Sequence, residues 1–82
     1  MEKIELDDFL TGGILKEKEF RDKIKEINWD VYRGEKVLIK GCTAAPVPTW
    51  SYLIITAKLT LIAKEVYFGE PCSAVQIYKN EN

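Results

Sequence analysis

The sequence predicts a small α/β domain: a three-stranded, mainly parallel sheet in the order β-α-β-α-β, with helices packed on the sheet. Three observations favour this fold. Residues 37–39 form an unbroken apolar run, which is typical of a strand inside a parallel sheet. Apolar residues recur at helical spacing on both sides of that run, over about residues 14–27 and 50–64. The chain of 82 residues contains no linker-like segment, so we expect residues 1–82 to form a single domain.

The three strands are expected near residues 3–6, 36–40 and 65–68. The first is indicated by Ile4 and Leu6, which alternate with charged residues. The second is placed at the centre of the sheet because its three consecutive apolar residues leave it without a polar face. The tail, residues 72–78, has room for a short antiparallel fourth strand at the edge, through Val75 and Ile77.

The second helix is apolar on two sides. One stripe contains Trp50, Leu53, Ile54, Ala57 and Leu61, and the other contains Tyr52, Ile55, Leu59, Ile62 and Ala63. One stripe must cover the sheet, and a domain this small has little left to cover the other. We therefore expect a homodimer, although the first helix and the tail are an alternative cover and either stripe is able to face outward. The candidate interface residues are Tyr52, Ile55, Leu59 and Ile62.

The composition excludes several kinds of chemistry. The chain has no histidine, which removes histidine-based acid–base catalysis and every histidine-containing metal site. Two cysteines cannot complete a tetrahedral zinc site within one chain, and no glycine-rich phosphate motif is present. The net charge is −1 and the lysines alternate with acids, so we expect no nucleic-acid partner. The apolar runs are too short for a membrane span. We expect a cytoplasmic protein without a cofactor or metal.

A cysteine lies just beyond the end of the second and of the third strand. Because the carboxyl ends of parallel strands meet at one rim of the sheet, we expect Cys42 and Cys72 to lie within about 10 Å of each other or to face one pocket. A disulfide is not expected in a reducing compartment. The candidate ligand rim consists of Cys42, Thr43, Glu70, Cys72 and Ser73, with Gly41 and Gly69 as its floor.

These patterns favour a non-catalytic α/β module that acts as a homodimer in a binding or regulatory role. Two alternatives stay open. One is a thiol-based enzyme or redox sensor that uses Cys42 or Cys72, although a small apolar cysteine beside a glycine is also a common structural feature. The other is a small-ligand-binding protein whose site forms in the dimer. The sequence specifies neither the small molecule nor a pathway.

Several strings of the sequence also resemble a known family. Lys-Gly-Cys within residues 37–42 and Gly-Glu-Pro-Cys-Ser within residues 67–73 resemble the uncharacterised bacterial domain-of-unknown-function family 2480, as do residues 15–21, 28–32 and 46–48. The resemblance covers nearly the whole chain. It implies that longer members hold two related halves and that this chain corresponds to a single half, closest to the second. The resemblance carries no activity, but it implies that two copies of this chain stand in for the two halves.

Overall fold

The computed structural model describes residues 1–41 and 46–81. Within these residues four strands form one sheet in the order β1-β2-β3-β4. The strands are β1 (Glu2–Glu5), β2 (Lys36–Lys40), β3 (Glu65–Phe68) and β4 (Val75–Lys79). The first three are parallel to their neighbours, and β4 runs antiparallel to β3. The predicted α/β fold is therefore confirmed, including the central position of β2 and the antiparallel fourth strand at the edge.

The same residues contain two α-helices, α1 (Glu17–Glu26) between β1 and β2 and α2 (Thr49–Leu59) between β2 and β3. Two short 3-10 helices, Leu6–Phe9 and Trp29–Tyr32, follow β1 and α1. Both α-helices are shorter than the apolar periodicity predicted. Before α1 the chain forms a turn in which Ile14 pairs with Thr11, so helical backbone begins only at residue 17. After α2 the chain continues in a tighter turn through residues 60–62.

The hydrophobic core lies on one face of the sheet. It contains Phe20 and Ile24 from α1 and Ile55 and Leu59 from α2, together with inward-pointing strand residues. The strand residues in this cluster are Ile4, Val37, Ile39 and Val66. Because successive side chains of a strand point to opposite faces, this alternation places both described helices on the same side of the sheet. The molecule is thus built of two layers.

The opposite face of the sheet has no described helix on it. The apolar run of β2 predicts a strand covered on both faces, and all three of its apolar residues are buried. Leu38 points to the opposite face and is nevertheless fully buried. Its cross-strand neighbours are Lys3 and Tyr67, whose long side chains have apolar stems or rings that are able to cover it. A continuous apolar run therefore marks a central strand here without marking a third layer.

Candidate functional site

The predicted rim lies at the carboxyl ends of β1, β2 and β3. Glu70, Cys72 and Ser73 are exposed there, and Cys72 is a free thiol. Cys42 and Thr43 fall outside the described residues, so the approach of the two cysteines stays a prediction. The three described rim residues lie in the connection between β3 and β4, where the N–H of Ser73 donates to the carbonyl oxygen of Glu70 at 2.9 Å.

An ion-pair network crosses the strand ends. Lys40 Nζ lies 3.4 Å from Glu5 Oε1 and 3.8 Å from Glu70 Oε2. Lys40 ends β2, Glu5 ends the neighbouring strand β1, and Glu70 follows β3. Two carboxylates therefore offset the charge of this lysine, so it is not a free cation for an anionic ligand. Sequence reasoning selected Glu70 but missed its partner, because the Glu5–Lys40 register becomes visible only once β1 and β2 are paired.

The local structure explains why glycine occupies both positions 41 and 69 at the rim. A side-chain carbon at Gly41 would lie 2.7 Å from Tyr52 Oη, so the glycine allows the tyrosine of α2 to approach the backbone. Gly69 has a φ of +121°, which side chains rarely permit, and its N–H donates to the carbonyl oxygen of Ile39 at 3.1 Å. The Tyr52 side chain thus occupies the space beside Gly41 where the sequence predicted the floor of a pocket.

A buried carboxylate lies on the face of the sheet opposite the described helices. Glu65, at the start of β3, is 6% exposed. Tyr67 Oη donates to Glu65 Oε1 at 2.5 Å, and Gln76 Nε2 donates to the same oxygen at 2.9 Å. Lys36 Nζ lies 3.7 Å from Glu65 Oε2. The hydrogen bond from Tyr67 is the main cause that holds the pKa of Glu65 below its ordinary value of 4.5, with further help from Lys36, Gln76 and Lys79.

This lowered pKa predicts a pH-dependent contribution to stability. A carboxylate whose folded pKa lies below its unfolded value stabilises the fold above the unfolded value, and this stabilisation is lost as the pH falls through the folded value. Relative to Glu65→Gln, the wild type should therefore have its largest advantage in melting temperature near pH 7. The advantage should shrink below pH 4.5, which thermal denaturation at pH 7, 4.5 and 3 would measure. A difference that does not change with pH would contradict the assigned role of the carboxylate.

An apolar groove lies between α2 and β4, and we call it the α2–β4 groove. It is lined by Ile39, Tyr52, Leu53, Thr56, Phe68 and Ile77, and its volume is about 220 Å³. The rings of Tyr52 and Phe68 meet edge to face with centroids 4.9 Å apart. Leu53 is 63% exposed and Ile77 is 51% exposed. The groove is open because α2 packs over the centre of the sheet and no described helix covers the same face of β4.

The four candidate interface residues divide between the groove and the core. Tyr52 lines the α2–β4 groove. Ile55 and Leu59 are fully buried against the sheet of their own chain, so they cannot face a partner, and Ile62 is half-buried. Of the two apolar stripes in the sequence, the one that contains Ile55 and Leu59 covers the sheet, so these two residues are corrected from interface to core. The exposed side of α2 carries Leu53, from the other stripe.

A more polar cavity of about 350 Å³ lies at the opposite end of the sheet, beside β1. Its lining mixes cations with carboxylates, including Lys23 and Glu26, and it also contains Tyr32. Lys23 Nζ donates to the carbonyl oxygen of Leu10 at 3.0 Å. Burial raises the pKa of Tyr32, and the nearby carboxylates of Glu2 and Asp8 raise it further, so this phenol stays protonated near neutral pH.

Two features are absent from the described residues. Among residues 1–41 and 46–81, no group of three or more cysteine or acidic side chains is placed to hold a metal ion. None of the helices in those segments has the length and hydropathy needed to cross a membrane.

Comparison with known proteins supports the resemblance noted in the sequence. A family model described as "Protein of unknown function (DUF2480)" matches the chain twice, over residues 1–59 and residues 30–80. Residues 30–59 therefore align with the model in two ways, which is consistent with a family that contains a repeated half-domain. No curated protein and no solved structure matches the chain.

Proposed function

The chain belongs to the DUF2480 family, and on that premise we propose that it is a non-catalytic, cytoplasmic α/β module that acts as a homodimer in a binding or regulatory role. The observation that carries the proposal is the α2–β4 groove. Its lining is almost entirely apolar, and the two most exposed apolar members, Leu53 and Ile77, stand on its two sides. Contiguous exposed apolar surface, unlike single scattered apolar residues, is a feature of interaction sites.

A second copy of the chain is the occupant that we favour. The family model matches this chain twice, as expected if the family contains two similar halves and this chain supplies one of them. A half-domain that ordinarily packs against a similar half would leave an apolar surface uncovered when it occurs alone. Association of two copies removes that surface from water, and a two-fold axis needs only one self-complementary patch.

The thiol alternative has less support than the dimer. Cys72 is exposed, which a reactive thiol requires. Lys40, however, is paired with Glu5 and Glu70, so its charge is already offset at the rim. Thiol labelling separates the two functions, because a redox sensor should lose its activity on labelling of Cys72, whereas a dimer formed through the α2–β4 groove should keep its mass.

Replacing Leu53 with aspartate should dissociate the proposed dimer. The change places a charge in the α2–β4 groove, where association would bury it without a partner, and such a buried charge costs roughly 3–5 kcal/mol. We expect the dissociation constant to rise about 100-fold or more. Sedimentation equilibrium measures the change, and circular dichroism confirms that the variant remains folded.

Val31→Asp is the matched control for this experiment. Val31 is 57% exposed, close to the 63% of Leu53, but it lies in the 3-10 helix Trp29–Tyr32 and does not line the groove. Its dissociation constant should equal that of the wild type. Equal weakening by both substitutions would mean that general surface charge controls association, and the α2–β4 groove would lose its assigned role.

A further inference from the structure

β4 is an edge strand with an open outer side. β3 pairs with it on one side, and no strand within the described residues pairs with it on the other. Val75 is 60% exposed and Ile77 is 51% exposed. Natural proteins usually protect such an edge with charged residues, proline or a covering loop. Within β4 the one charged residue is Lys79, at the strand end, and there is no proline, but the register with β3 shifts between Val66 and Tyr67 and makes Ile77 a β-bulge. Apart from this bulge, the side chains of β4 leave the edge suited to pair with another strand.

We propose that two copies of the chain pair antiparallel through β4, which joins the four described strands of each copy into one sheet of eight. This inference rests on the homodimer proposed above and names the surface through which it forms. A two-fold axis perpendicular to the sheet brings a strand against its own copy in the antiparallel direction. The second copy is the chosen occupant because the family model matches the chain twice.

The charges of β4 are compatible with self-pairing. With the two-fold axis at Ile77, each Lys79 lies opposite Val75 of the partner strand. The two Lys79 residues are then separated by four residues along the strand direction, which is about 14 Å. No like charges face each other directly, so the pairing carries none of the repulsion that destabilises opposed like charges in a sheet.

The same pairing covers the α2–β4 groove. An axis perpendicular to the sheet keeps the helix layers of both copies on one side, so the two grooves open toward each other across the axis. Ile77 is shared between the edge strand and the groove lining, which makes the two surfaces continuous. Backbone pairing of β4 and burial of Leu53 and Phe68 would therefore occur in one step.

Hydrogen exchange of the wild-type chain tests the pairing directly. Amides that point outward from an unpaired edge strand exchange quickly, whereas paired amides are protected. We expect the outward-pointing amides among residues 75–79 to exchange at least about tenfold more slowly at a concentration where the dimer is formed than in the dilute monomer. β1, Glu2–Glu5, is the opposite edge of the sheet and serves as an internal control that should not change.

The Leu53→Asp variant supplies the monomer reference, and its outward-pointing β4 amides should exchange quickly at every concentration. A dimer by mass whose residues 75–79 gain no protection would overturn the edge pairing and leave the homodimer standing. A monomer by mass at every concentration would overturn both proposals. Protection of Glu2–Glu5 in place of residues 75–79 would move the interface to the other edge of the sheet and refute pairing through β4.

Discussion

Replacing Ile55 with aspartate is expected to unfold the chain. Ile55 is fully buried between α2 and the sheet, and truncation of a buried isoleucine to alanine alone costs about 2–5 kcal/mol. Aspartate adds an unpaired buried charge to that loss. A domain of this length is stabilised by roughly 4–12 kcal/mol in total, so a combined cost of about 5–10 kcal/mol removes most or all of its stability. Circular dichroism should show loss of the native helical signal at 25 °C.

Ala57→Asp is the matched control for this prediction. Ala57 lies on the same helix, two residues further along, and is exposed. Its replacement should lower the free energy of unfolding by only about 1 kcal/mol. This loss comes from the lower helix propensity of aspartate and from its unfavourable charge near the end of the helix. The variant should fold with a modestly lower melting temperature. If Ile55→Asp folded as well as Ala57→Asp, the orientation of α2 described above would be incorrect.

Phe20→Ala should have the second largest effect on stability. Phe20 is fully buried, and its ring lies 5.3 Å from the ring of Phe9 and 5.5 Å from that of Trp50, measured between centroids. It therefore links α1 both to the segment after β1 and to α2. Removal of a buried phenylalanine costs about 3–5 kcal/mol because it combines lost burial with a cavity. Urea denaturation would measure the loss as a lower midpoint.

Phe68→Ala makes the same chemical change at an exposed position. Phe68 is 37% exposed and lines the α2–β4 groove. We expect it to cost the isolated chain about 1–2 kcal/mol, since only part of the side chain is removed from water on folding. Its larger effect should be on association. Equal losses of unfolding free energy for the two variants would contradict the assignment of Phe20 to the core and Phe68 to the surface.

The sequence predicts the strands well because their signals are local. The apolar run of β2 and the apolar segment of β3 are each bounded by charged residues or glycine, and both strands have the predicted bounds, Lys36–Lys40 and Glu65–Phe68. The helix ends are less predictable because they depend on turns. Ile14 continues the helical periodicity, yet its pairing with Thr11 places it in a turn before α1.

The orientation of α2 is not predictable from apolar spacing alone. Ser51 is polar, so the apolar spacing assigns it to neither stripe. In the structure it is fully buried beside Ile55 and Leu59, because its hydroxyl group donates to the carbonyl oxygen of Pro48 at 2.6 Å. A polar side chain whose hydrogen bond is satisfied locally is able to occupy the buried side of a helix. This local bond hides the buried stripe from a simple count of apolar residues.

The candidate sites are still less visible in the sequence. The cluster around Glu65 joins residues from β2, β3 and β4, and only the strand register brings Tyr67 and Gln76 to the same carboxylate. The α2–β4 groove likewise depends on where α2 lies across the sheet. Two features of the sequence point to this groove. They are the second apolar stripe of the helix and the alternating apolar residues Val75 and Ile77 in the tail.

The mass of the wild-type chain in solution tests the central claim most directly. The claim is that a second copy covers the α2–β4 groove, so sedimentation equilibrium in the micromolar range should give twice the mass of one chain. The mass should fall toward that of one chain on dilution, and Leu53→Asp should give the single-chain mass across the same range. A single-chain mass for the wild type at every concentration, up to the limit of solubility, would contradict the account.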